Sequence, residues 1–145
     1  MSEPRFTIRL AQSEADLLGA QRLRYRVFVE ELGSDGALVD HHMRFERDRF
    51  DTVSHHLILI DEARQAKAPD HVVGVYRFMD QDGAARAGQF YSESEYDLRK
   101  LKDSGRKLLE LGRSCLDPEY RGGAAMFHLW NALAEFAQDH QIELM

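Results

Sequence analysis

The chain has 145 residues, 43% of them hydrophobic and 30% charged, enough for one globular domain with its own core. A formal net charge of −6 argues against a nucleic-acid grip, which needs a basic surface, and no apolar run approaches the roughly 20 residues that span a bilayer. The single cysteine, Cys115, gives no disulfide and no metal-binding cysteine pair within these residues, so a reducing cytoplasm is the expected location.

Phe6 to Leu10 alternates in polarity and reads as a first strand. Ser13 followed by Asp16 resembles a capping box and opens a helix to about Leu32, stopped by Gly33. Leu17, Ala20, Val27 and Phe28 share one helical face with Arg24 among them, whereas Arg22 and Arg26 lie off that stripe and read as solvated. Ser34 to Ser54 is a long polar loop bearing Asp40, His41, His42, Glu46, Asp48 and Asp51, and loops of that length are usually functional or mobile. Leu57 to Ile60 is a short buried strand, and Val72 to Met79 returns beside it with Gly74 and Arg77 as its odd residues. An aromatic and acidic stretch, Phe90 to Asp97, precedes a basic one from Arg99 to Lys107.

Leu108 to Leu116 is an apolar strand interrupted by Glu110, Gly112 and Arg113. A charge there needs a partner or a chemical task, and glycine inside a strand marks a bulge or the close approach of a ligand. Strict alternation would put Glu110 and Arg113 on opposite sides, and a single bulge residue would bring them together. Asp117-Pro118 forms a turn, Arg121-Gly122-Gly123 follows, and Ala124 to His140 is an amphipathic helix. Met126, Leu129, Trp130, Leu133 and Phe136 are assigned to its inner face. Gln141 to Met145 looks like a strand just starting, so the expectation is a fragment: residues 1–145 as the N-terminal portion of one domain. The histidine pairs His41-His42 and His55-His56 match no ligand spacing, and no metal is expected.

This order of elements is similar to the GNAT acyltransferase fold, an α/β arrangement on a mixed sheet, here expected to be truncated after the start of the fifth strand. In that fold a pantetheine arm lies between splayed fourth and fifth strands, much as an added strand would. Phosphate sits on a glycine-rich turn at the next helix N-terminus. The resemblance assigns phosphopantetheine binding to Arg121, Gly122 and Gly123. The usual acetyl-CoA loop reads Arg/Gln-x-x-Gly-x-Gly/Ala, and this chain departs from it at both small-residue slots. A donor with one phosphate, acyl carrier protein, fits that departure better than coenzyme A.

More specifically, Arg24-Tyr25-Arg26-Val27-Phe28, Phe50-Asp51, Gly74-Val75-Tyr76-Arg77, Phe90 to Asp97 and Glu110 to Cys115 resemble the bacterial L-ornithine Nα-acyltransferases, relatives of the acyl-homoserine lactone synthases. The resemblance implies aminolysis of a 3-hydroxyacyl thioester on acyl carrier protein by the α-amine of L-ornithine. It needs no cofactor beyond that cosubstrate, and a lipid product would bring peripheral contact with the inner membrane. Glu110 is then the candidate base, Arg113 its orienter or the holder of the acceptor carboxylate, and Ser114 or Tyr120 a candidate for protonating the thiolate. Backbone N–H groups from Gly112 to Ser114 would stabilise the oxyanion. Arg24, Phe28, Asp48, Asp51 and Arg77 would line the acceptor pocket, with Asp51 favoured for the second amine of ornithine. A lactone synthase using S-adenosylmethionine and a non-catalytic acyl-carrier binding module are the alternatives.

Overall fold

A computed structural model describes residues 3–145. Four strands, β1 (Phe6–Leu10), β2 (His55–Asp61), β3 (Val72–Asp80) and β4 (Leu109–Leu116), form an antiparallel sheet in sequential order. Alternation along β2 divides the core. Leu57 and Leu59 pack on one face with Phe78, Leu129 and Leu133, while Ile58 and Ile60 pack on the other with Ala20, Leu23 and Val27. Helix α1 (Glu14–Arg24) covers the second face and helix α4 (Ala125–Asp139) the first. Helices α2 (Gln81–Ala87) and α3 (Arg99–Lys102) lie in the β3–β4 connection. Beyond this sheet, Leu144 forms a single parallel bridge with Leu108, where the sequence suggests a strand beginning.

Two local expectations are corrected, and one helix is added. Helix α1 starts as read, with Ser13 accepting from the Asp16 N–H at 3.1 Å, but it does not run as an α-helix to Leu32: from Tyr25 to Glu31 it continues as a wider π-helix. Nothing in the hydrophobic pattern distinguishes the two pitches there. Helix α2 carries too few apolar residues to show a stripe, although its caps are legible: Asp80 accepts from the Gly83 N–H at 2.8 Å, and Gly88 adopts φ +89°. Trp130 is 48% exposed on the flank of α4, edge-on to Tyr76, while Leu129 and Leu133 fill the core.

Candidate active site

Strand β4 is irregular where the charged residues sit, but the irregularity is displaced from Gly112. Arg77 pairs with Gly112 and Val75 with Cys115, so Arg113 and Ser114 together oppose Tyr76 as a one-residue bulge. The left-handed residue is Arg113, at φ +51°. Neither Arg113 nor Ser114 has a ladder partner on β3. Gly112 contributes differently: a Cβ there would meet nothing within 4 Å, so its missing side chain keeps the cleft floor open.

The bulge does not join Glu110 to Arg113. Arg113 instead donates from Nε to Glu46 at 2.9 Å and from Nη2 to Asp48 at 3.0 Å. Arg77 donates to Asp48 at 2.6 Å and Asp51 at 2.8 Å, and Arg24 donates to Asp51 at 2.8 Å and through Nε to Glu46 at 2.6 Å. Three guanidinium groups from α1, β3 and β4 thus alternate with three carboxylates from the polar loop in a closed ring. The ring has no net charge. Arg24 and Arg113 each bridge two acids with different nitrogens, a task for the arginine fork rather than lysine, while Arg77 meets both of its acids through Nη1. Glu46 was legible only as one loop acid among several, and nothing in its spacing singles it out as the closing member.

The ring also sorts the expected pocket residues. Arg24 is 0% exposed and lines no cleft; it supports the wall from behind. Asp51 is buried too and already accepts from Arg24, Arg77 and Gln21, so it is not presented to a ligand's amine. Phe28, Asp48, Arg113 and Ser114 do line a cleft of about 750 Å³, closed opposite by 34–39 of the loop and joined by Glu46 and Tyr91. Arg77 faces a smaller pocket behind it, shared with Glu110, Tyr91 and Arg113.

Burial opposes the charged form of Asp51, but Arg24, then His56 and Arg77, outweigh it and hold the carboxyl down at about 2. A carboxyl depressed on folding stabilises the fold above its unfolded value of 3.8, and that contribution is lost as pH falls through about 2. The urea midpoint of the protein is therefore expected to fall between about pH 4 and pH 2. An Asp51→Asn variant, less stable at pH 5, should show a shallower decline across that window.

At the far end of β4, Arg121 donates to Glu31 at 2.6 and 3.0 Å and to the Leu116 carbonyl at 3.2 Å, which pins the turn. Gly122 takes φ +81°, a left-handed conformation suited to glycine, and α4 then begins without a side-chain cap. Arg26, read as merely solvated, bonds to buried Asp117 at 3.1 Å beside Arg64. Tyr120 donates a hydrogen bond to Asp61 at 2.6 Å, and burial with that bond pushes the phenol up to about 12, so it is poorly placed to protonate a thiolate. Burial pushes the Cys115 thiol up to about 12, which fits a core residue rather than a nucleophile. The basic stretch flanks the beginning of β4, at the opposite end from Arg121.

Lys107 and Leu109 direct main-chain groups outward, to Glu143 and Leu144 at 2.9 to 3.1 Å. Past Leu109 the outer edge of β4 has no strand beside it among the described residues. An open strand edge, an unpaired bulge and a glycine turn at a helix N-terminus thus follow one another along a single line.

Comparison with known proteins agrees with this geometry. Residues 23–131 match the family described as an acetyltransferase (GNAT) domain. An L-ornithine N(alpha)-acyltransferase of Rhodobacter capsulatus is 52% identical over 140 residues, covering 97% of this chain and 54% of that protein. Its counterpart in Brucella abortus is 41% identical over 140 residues, covering 95% of this chain and 50% of that protein. The chain therefore spans about half the length of these relatives. Among solved structures, the N-acyl amino acid synthase FeeM from uncultured soil microbes superposes with a TM-score of 0.67 at 18% identity, over 97% of this chain and 70% of that one. The AHL synthase LasI gives 0.65 at 18% identity, over 98% and 71%. The family match over residues 23–131, with these relatives, establishes that this chain belongs to the GNAT acetyltransferase family.

Proposed function

We propose that the protein containing this chain is an N-acyltransferase that moves a 3-hydroxy fatty acyl group from acyl carrier protein to the α-amine of L-ornithine, giving lyso-ornithine lipid. The relatives named above support the acceptor and the reaction. The observation that carries the reading is the cleft against the bulge of β4, whose lining mixes Asp35 and Asp48 with Arg47, Arg49 and Arg113. A free amino acid with a second amine carries both signs of charge, and such a wall meets both.

In this reading the acyl-pantetheine arm lies along the open edge of β4, with its phosphate at Arg121, Gly122 and Gly123. The unprotonated α-amine attacks the thioester carbon, and N–H groups at Arg113 and Ser114 face the developing oxyanion. Collapse breaks the carbon–sulfur bond. The amine's proton passes to water in the cleft, and the departing thiolate takes a proton from that water, with the exposed Ser114 hydroxyl beside it. The reaction is placed in the cytoplasm with peripheral membrane contact through its product; among the described residues no helix is long and apolar enough to cross a membrane.

The test is product analysis with the full-length protein, 3-hydroxyacyl carrier protein and L-ornithine. Lyso-ornithine lipid is the expected product. Acyl-homoserine lactone from S-adenosylmethionine with no ornithine product would replace this reading with a lactone synthase. Carrier binding without turnover on either acceptor would replace it with a binding module.

A further inference from the structure

Glu110 is committed in a way that a general base is not. Its Oε1 accepts the Tyr91 N–H at 2.7 Å, its Oε2 accepts the Ser92 N–H at 2.9 Å, and the Ser92 hydroxyl donates to Oε2 as well. A carboxylate offers about four lone-pair sites, so three donors leave little capacity directed at a substrate. These donors belong to one short turn, Tyr91–Ser94, whose own start at Phe90 has no side-chain cap.

What the carboxylate holds in place is the Tyr91 ring. The ring sits over the guanidinium carbons of Arg113 at 5.1 Å and Arg77 at 5.6 Å, edge-on to Phe50 at 5.4 Å. It lines both the wide cleft and the small pocket behind, as Gly112 and Arg113 also do. A ring face over two guanidinium groups attracts them and keeps water from that side of the ion ring.

We infer that Glu110 is a positioning residue: it latches Tyr91 and Ser92 to β4, and through Tyr91 it sets the wall that fits the acceptor amino acid. The kinetic arm of this inference rests on the proposed transfer to ornithine; its structural arm does not.

The experiment measures kcat and KM for ornithine between pH 6 and 9 in the full-length protein and in Glu110→Gln, Ser92→Ala and Tyr91→Leu. Amide hydrogen exchange of residues 90–94 is followed in the same proteins. Glu110→Gln keeps the size of the side chain but sets an amide N–H₂ against a donor. A latch predicts that Glu110→Gln and Tyr91→Leu raise KM for ornithine about tenfold, and Ser92→Ala about threefold, with kcat within a few-fold and its pH profile unmoved. It also predicts protected Tyr91 and Ser92 amides in the parent and fast exchange in Glu110→Gln. Glu110→Asp, which keeps the charge, should restore part of that protection. The inference is overturned if Glu110→Gln loses about 10³-fold in kcat together with the acidic limb of the profile while Ser92→Ala and Tyr91→Leu stay normal. It is also overturned if the parent's Tyr91 and Ser92 amides exchange like a free loop. A parent that acylates no ornithine defeats the proposed function alone, and the exchange measurement still decides the latch.

Discussion

Replacing Arg24 by methionine is expected to lower the melting temperature by roughly 10 °C, read by circular dichroism at pH 7. Arg24 has no exposure and meets Glu46 and Asp51, both buried. Methionine approximates its volume but leaves two carboxylates with one guanidinium fewer. Removing one member of a buried ion pair costs about 3–5 kcal/mol, because the surviving charge stays desolvated. Lysine at 24 should recover only a fraction, since a single ammonium cannot reach both acids with the geometry of a fork. A change of less than about 3 °C in Arg24→Met would mean that the ring contributes little to holding the loop.

The second large effect is on activity. On the proposed function, Arg113→Ala in the full-length protein is expected to reduce kcat/KM for ornithine acylation by about 10²-fold, roughly 2.7 kcal/mol of transition-state stabilisation. Arg113 is the ring member that β4 itself supplies, and it lines both pockets. Without it, Glu46 and Asp48 leave the cleft wall with excess negative charge facing the acceptor carboxylate and the developing oxyanion. Arg113→Lys is expected to remain at least tenfold impaired, because the bridge from 2.9 Å to Glu46 and 3.0 Å to Asp48 needs both ends of the fork. Steady-state kinetics on folded variants checks both values, and near-normal turnover in Arg113→Ala would remove the residue from the site.

Much of the scaffold was legible because it follows simple periodicities. The alternation in β2 and the stripe of Leu129 and Leu133 on α4 report which faces are buried. The odd charges were legible too: Arg24, Arg77 and Arg113 each break an apolar surface, and the structure brings all three to one place. Their partners were harder to read. Whether Arg113 turns to Glu110 or to the loop depends on where one extra residue enters β4, and sequence places that at Gly112 by its composition. The structure puts it one position on, because Arg113 itself takes the left-handed conformation. Glu110 is the same kind of miss. Its donors are main-chain N–H groups of Tyr91 and Ser92, which every non-proline residue carries, so no side-chain pattern announces them. The relation of the basic stretch to Arg121-Gly122-Gly123 is set by topology alone, which places them at opposite ends of one strand.

The alternating ring also constrains how such a sequence can drift. Its six members come from α1, the polar loop, β3 and β4, positions far apart in the chain. A single exchange of a charged member for a neutral one leaves one excess charge, most costly among buried Arg24, Glu46, Asp51 and Arg77, whereas removal of one cation with one neighbouring anion restores the balance. Substitutions at 24, 46, 48, 51, 77 and 113 should therefore survive in opposite-sign pairs. A library randomised at these six positions and selected for a folded protein should return mostly even-numbered changes.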